Sequence, residues 1–342
     1  MESIMLQEQS LKKAHQLKKE HHYVWANYLR NWAIGDTKNK VWFKKAKGGF
    51  AYDSVKMVAK EKHFYQIKPL TKNHVKIIRM ISSKSQLHKQ NMELLQKFLL
   101  IQKMEEFYQT SGKKSVETEK EIEAHKHNTL ENLHTAYESS AGKTISLLIN
   151  RDLSCLDDMK QLTTFCNYLG HQFTRTKPFR DIALLVMSKD DSEQAKLVHH
   201  ISTECWWFIS HMLGQNLGYS MFVSRKEDNY CLLLNETTQP FITSDNPVIN
   251  VHKGLTNDMT PPEDDQLDLY YPLSPTIAIM VSSSHRFPSG ESILTLDDVN
   301  ELNTKIAKGA YVNIFGCSEE SLKPYSKFVG DLHVRAKQFV ER

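Results

Sequence analysis

The chain lacks the marks of most familiar function classes. Its five cysteines stand singly at 155, 166, 205, 231 and 317, with no Cys-x-x-Cys pair. An odd, scattered set argues against a disulfide framework and for reduced thiols in a cytoplasmic protein. No apolar run approaches the roughly 18 residues a membrane helix needs. Met1 to Glu20 is polar and lysine-rich, without the apolar stretch of a secretory signal. The expectation is a protein with no membrane partner. There is no Walker loop, no Gly-x-Gly-x-x-Gly and no Gly-x-Ser-x-Gly elbow. Gly142-Lys143-Thr144 has the end of a Walker loop but not its upstream glycine. His-Glu-x-x-His is also missing. His200, Glu204 and His211 can line one helix face, but not at zinc-site spacing. No repeat or low-complexity linker interrupts the chain.

What is present suffices for a core. The 342 residues are 40% hydrophobic and 10% aromatic, enough for one large domain or two ordinary ones. A net charge of +4 is too mild to indicate nucleic-acid binding by itself.

Residues 4–20 read as a charged helix, and His21 to Trp32 as a helical aromatic face. Val41-Trp-Phe43 and Phe50-Ala-Tyr52, separated by lysines and Gly48-Gly49, read as a β-hairpin. Ser54 suits the cap of a short helix through Lys60. Helical patterns follow over 72–110, 128–150, 157–176 and 192–213, with a charged, solvated turn between Ser111 and Lys126. After Gly214 short β-prone runs appear at 219–224, 230–234, 241–243, 247–251, 270–273 and 277–282. A helix from Leu296 to about Gly309, a strand over Tyr311–Phe315 and a helical tail over 319–340 complete the reading. A lone hairpin is marginal in water, so the early hairpin is expected to pair with the late strands. The fold class is therefore α+β: helix-rich, with a mixed or antiparallel sheet built from the early hairpin and the late strands. The expected organisation is an N-terminal charged helix over 1–20, then one domain over 21–342 with a helical insertion from about 72 to 213.

Three segments stand out together. They are His22-Tyr-Val-Trp-Ala-Asn-Tyr-Leu-Arg-Asn-Trp-Ala33, His171-Gln-Phe-Thr-Arg-Thr-Lys-Pro-Phe-Arg180 and Phe241-Ile-Thr-Ser-Asp-Asn-Pro-Val248, with Tyr271-Pro-Leu-Ser-Pro275 following. This ordered set resembles a widespread microbial family, the domain of unknown function DUF4238, from about 20 to 316. Val24-Trp25 stands where that family often has Pro-Gln, and Trp32 where it often has Phe. The resemblance implies the extent of the domain and brings no reaction with it.

In the third segment a β-prone run delivers Thr243, Ser244, Asp245 and Asn246 to a stop at Pro247. Such residues build tight turns, and equally the rim of a site. If the segments converge, the candidate catalytic residues are His22, Asp245 and Arg175. Arg30, Asn31, Gln172, Thr176, Thr243, Ser244 and Asn246 are then the candidate substrate-binding residues. Guanidinium forks match phosphate oxygens, and an imidazole exchanges protons near neutral pH. Glu138 with Asp245 could hold Mg²⁺ if the fold brought them together. The same residues suit a buried network in which Arg30 or Arg175 pairs with Asp245.

The basic–aromatic N-terminal part has two readings as well. Lys12, Lys13, Lys18 and Lys19 precede Trp25, Tyr28 and Trp32; Lys38, Lys40, Lys44, Lys45 and Lys47 surround Trp42 and Phe43. Such a pattern tracks a phosphate backbone, or it is a solvated helix and a lysine-guarded sheet edge. Two functions remain open. One is a phosphate-directed hydrolase, a nuclease suited to microbial defence or to a toxin, with nucleic acid or nucleotide as partner. The other is a non-enzymatic binding or regulatory module whose polar motifs are structural.

Overall fold

The computed structural model describes residues 16–35, 38–46, 48–189, 192–255, 259, 262–263, 265–284 and 286–341. Residues 4–15 of the expected first helix, with Lys12 and Lys13, lie outside the described residues, as does Lys47. The described remainder, 16–19, is not helical and leads into a strand.

In chain order the strands are β1 (Glu20–His22), β2 (Lys40–Lys44), β3 (Phe50–Ser54), β4 (Lys60–Lys62), β5 (Asn229–Leu234), β6 (Thr243–Ser244), β7 (Ile249–Asn250), β8 (Asp268–Pro272), β9 (Ile277–Ser282), β10 (Gly290–Ile293) and β11 (Ile314–Gly316). The α-helices are α1 (Ala26–Leu29), α2 (Lys72–Ser82), α3 (His88–Thr110), α4 (Val116–Ile149), α5 (Met159–Thr174), α6 (Lys177–Met187), α7 (Glu193–Glu204), α8 (Trp206–Ser224), α9 (Leu296–Gly309), α10 (Glu319–Leu322) and α11 (Asp331–Val340). The α+β class holds.

The hairpin β2–β3 joins the late strands. β2 pairs antiparallel with β11, and β11 with β6, giving the order β3-β2-β11-β6. A second sheet runs β10-β5-β9-β8-β7, antiparallel except for the parallel β10–β5 pair. β1 and β4 form a small ribbon. β5 and β9 divide their side chains by the period of two that a strand imposes. Leu232, Leu234, Ile277, Ile279 and Val281 pack into the large helical core. Cys231, Leu233, Ala278 and Met280 face the other way, onto Val299, Leu302 and Ile306 of α9. The sheet thus lies between the helical layer and α9, buried on both faces.

Several expectations shift. The aromatic helix over 21–32 shrinks to α1 and a 3₁₀ turn over Arg30–Trp32. Its first residues are taken by β1, where buried His21 accepts from the Tyr65 backbone N–H and bonds the Lys18 carbonyl. Ser54 caps no helix, and residues 55–59 are turn and bend. The charged stretch after Ser115 is helix, because Ser115 accepts from Thr118 N–H and Glu117 and Glu119 occupy the first turn. The β-prone run at 219–224 is the C-terminal end of α8. The α9 helix runs as expected, capped by a reciprocal Thr295–Asp298 box. Among the described residues, no helix is long and apolar enough to cross a membrane.

Candidate functional site

The three motifs interlock. From the first, the Tyr28 hydroxyl donates to the Pro272 carbonyl at 2.7 Å and lies 2.7 Å from the Thr243 hydroxyl. Asn31 donates to the Leu273 carbonyl at 2.8 Å and the Trp32 indole to the Phe241 carbonyl at 2.8 Å. These bonds seat the first motif on the third and on the Tyr271–Pro275 segment that follows it. The Gln172 amide donates to the Tyr23 carbonyl at 3.1 Å, tying the second motif to the first. Thr176, the N-cap of α6, donates to the Asn246 side chain at 3.3 Å and ties the second to the third.

The charges within this frame are not paired as the sequence suggested. Arg175 is 2% exposed. It donates to Glu138 at 2.6 Å and to the Gln172 carbonyl oxygen at 2.7 Å. Asp245, 1% exposed, accepts from the backbone N–H groups of Tyr311, Val312 and Asn313 at 2.8, 2.7 and 2.9 Å. Burial pushes its carboxyl up to about 6 against the pull of those donors. The Ser244 hydroxyl closes the turn, donating to the Asn246 carbonyl at 2.8 Å and accepting its N–H at 3.1 Å. Arg30 is half-buried and donates to Asn27 at 3.2 Å. The His22 ring is half-buried with its Nε2 3.2 Å from the Lys56 carbonyl; burial lowers its pKa, and the Arg175 charge lowers it further.

Glu138 and Asp245 do not fit Mg²⁺. The Glu138 Oε1 that meets Arg175 is held by a cation, and both Asp245 oxygens face N–H groups. Among the described residues, no group of three or more His, Cys, Asp or Glu side chains is disposed to hold a metal. His200 and Glu204 lie with His74 at the end of α7, whereas His211 is inside α8's buried face.

A polar centre that the motifs did not announce surrounds Arg175. Helix α4 carries His127, Glu131, His134 and Glu138 at spacings of four, three and four, so they share one face. That spacing, continued by Ala141, Ile145 and Leu148, was the available signal; the dense surface charge of the same helix hid it. Tyr137 stacks on His171 with ring centres 4.4 Å apart, and His171 lies 4.8 Å from His211. Among the described residues, His134 Nδ1, both His171 nitrogens, His211 Nδ1 and Arg175 Nε have no hydrogen-bond partner. Burial holds His134 and His171 well below the usual imidazole range and His211 down to about 4, so these rings are neutral. Desolvation opposes the Arg175 charge, but Glu138, Tyr65 and Tyr168 hold its pKa up. Glu131 differs. It is half-buried, its Oε2 has no partner, and burial raises its carboxyl to about 7 while Arg175 pulls it down.

Fold and site define an α+β protein with a charged, closed interior where its helices meet its sheets. The chain belongs to DUF4238, a family described as proteins of unknown function, whose model matches residues 20–320. No curated protein and no solved structure matches the chain.

Proposed function

We propose that this chain is a non-enzymatic binding module whose three motifs are the joints between its helical layer and its sheets. The observation that carries this reading is Asp245. Its carboxylate is 1% exposed and accepts three successive backbone N–H groups with both oxygens, so it is turned to the backbone and away from solvent. The Arg175–Glu138 pair is likewise internal. Buried polar groups favour partners, and the motif side chains Tyr28, Gln172, Thr176 and Asp245 find theirs across elements far apart in the chain. The five unpaired cysteines, four of them buried, support a reducing, cytoplasmic setting.

A second reading, a phosphate-directed hydrolase such as a nuclease serving defence, rests on Glu131. A carboxyl near 7 beside a buried arginine suits proton transfer at neutral pH. Here Glu131 is the acid–base group, His22 its neighbour towards solvent, and Arg175 the phosphate anchor once freed from Glu138.

A turnover screen on RNA, DNA and nucleotides, with and without Mg²⁺, separates the two. The module reading expects no turnover. Turnover that disappears in Glu131→Gln, with an unchanged melting temperature, overturns it in favour of the hydrolase.

A further inference from the structure

The hairpin β2–β3 sorts its residues by face. In its register Lys40 lies opposite Ser54, Trp42 opposite Tyr52 and Lys44 opposite Phe50. Side chains alternate along a strand, so lysine, tryptophan and lysine follow one another on one face, beside Phe50 and Tyr52. Val41 and Phe43 point the other way into the helical core. Asp53, the acidic residue of the hairpin, falls on that opposite face too.

Trp42 and Phe50 anchor this face against the second core, which leaves Tyr52 and the lysines at its rim. Tyr52 stacks on Trp42 with ring centres 5.5 Å apart at 30°, and its hydroxyl donates to the Ile34 carbonyl at 3.0 Å. Tyr52 is 37% exposed, and β3 is an edge strand with no neighbour on its outer side among the described residues. Lys40 Nζ sits 5.6 Å from the Tyr52 ring centre. Among the described residues, Lys38, Lys40, Lys44 and Lys45 have no acidic partner within ion-pair distance, whereas Lys60, at the next strand, pairs with Glu20. Lys40 and Lys44 are four residues apart on a strand, roughly 13 Å at about 3.3 Å per residue.

We propose that this hairpin face binds single-stranded nucleic acid, the lysines following the phosphates while an unpaired base stacks on the outer face of Tyr52. The inference rests on the binding-module reading and names its partner. Unpaired lysines around one half-exposed, immobilised aromatic ring supply both elements such binding needs: backbone neutralisation and a stacking surface. A duplex keeps its bases stacked on each other and offers Tyr52 nothing to stack upon.

The test is fluorescence anisotropy of a labelled oligothymidylate across a salt series, with melting temperatures recorded for each variant. The wild-type chain is expected to bind with a negative salt slope. Lys40→Gln with Lys44→Gln, the two lysines of this face, should flatten that slope by about 1.4, at about 0.7 for each phosphate no longer neutralised. Tyr52→Leu should weaken binding about 5- to 150-fold with the slope unchanged, in line with the value of one base stack. Tyr52→Phe, which keeps the ring, should bind as the wild type does. No wild-type binding at low salt, or double-lysine and Tyr52→Leu variants that bind like wild type, overturns the proposal. Equal competition by inorganic polyphosphate together with a silent Tyr52→Leu also overturns it, since that describes a site for any polyanion. The turnover screen judges the module reading separately, so failure here leaves that reading standing without this partner.

Discussion

At Asp245 a single side chain holds the link between α9 and β11 onto the β6 turn. Each hydrogen bond from a backbone N–H to a charged acceptor is worth about 1.5–3 kcal/mol, and an unmet buried donor carries a comparable penalty. Asparagine keeps the shape but replaces one oxygen with a donor that faces other donors. Asp245→Asn should therefore lower stability by about 2–3 kcal/mol, read as a shift of the urea midpoint, with the slope of the transition unchanged. A wild-type midpoint would mean that the three N–H groups find water.

His211 makes the interior sensitive to acid. Its folded pKa is about 4, below the ordinary value of 6.5, because of burial. Between those pH values the unfolded chain holds a proton that the folded chain does not. Stability is thus complete above pH 6.5 and falls as pH drops towards 4. The full loss amounts to about 3 kcal/mol. His134 and His171 act in the same direction, whereas Glu131, raised to about 7, gives stability back as pH falls below 7. The difference between wild type and His211→Leu isolates the one group. That variant should lose less stability between pH 6.5 and 4.5, measured by chemical denaturation at each pH.

At the scale of elements, the site depends on how closely α5 and α8 approach. A Cβ on Gly170 would stand 2.4 Å from the Gly214 carbonyl oxygen and 2.6 Å from the Gly218 nitrogen. One on Gly214 would meet His171 Nδ1 at 2.6 Å and Thr174 Oγ1 at 2.7 Å. These are backbone and packed neighbours that cannot swing aside. Gly170→Ala should cost about 1–3 kcal/mol or more through overpacking and should splay His171 from His211. Gly142 in α4 is the contrast, since its Cβ would meet only Trp25 at 3.5 Å, an ordinary contact. Gly142→Ala should stabilise by about 0.4–1 kcal/mol, because alanine loses less entropy in a helix. Opposite signs in the two melting temperatures are the expected result.

At the scale of the molecule, one apolar core runs from Tyr28 and Trp32 through α4, α5 and α8 to Leu232, Ile279 and Val281 of the five-stranded sheet. We infer that residues 21–342 unfold as one cooperative unit, with the helices over 72–213 as an insertion that cannot leave separately. Far-ultraviolet circular dichroism and tryptophan fluorescence should give coincident transitions, since Trp25, Trp206 and Trp207 report from the helical layer and Trp42 from the hairpin. Two separated transitions would make the helical insertion a domain of its own.

Some of this was legible in the residues alone. Short apolar, β-prone runs marked β5 and β9, the acidic start at Asp297 and Asp298 marked α9, and Pro247 ended the Ser-Asp-Asn turn, because these signals act over a few residues. The need of a lone hairpin for partners was enough to send β2 and β3 to the late strands. The polar character of the three motifs in apolar surroundings was enough to bring them together, since buried polar groups must find one another. The partners themselves were decided only by the tertiary structure. Arg175 took Glu138, 37 residues upstream, and Asp245 took the backbone of 311–313 in place of any arginine. β10 joined β5 in parallel with no apolar run to announce it. The strand propensity of residues 219–224 yielded to the helix that buries Gly218 and Met221 against the core, because packing outweighs so weak a local preference.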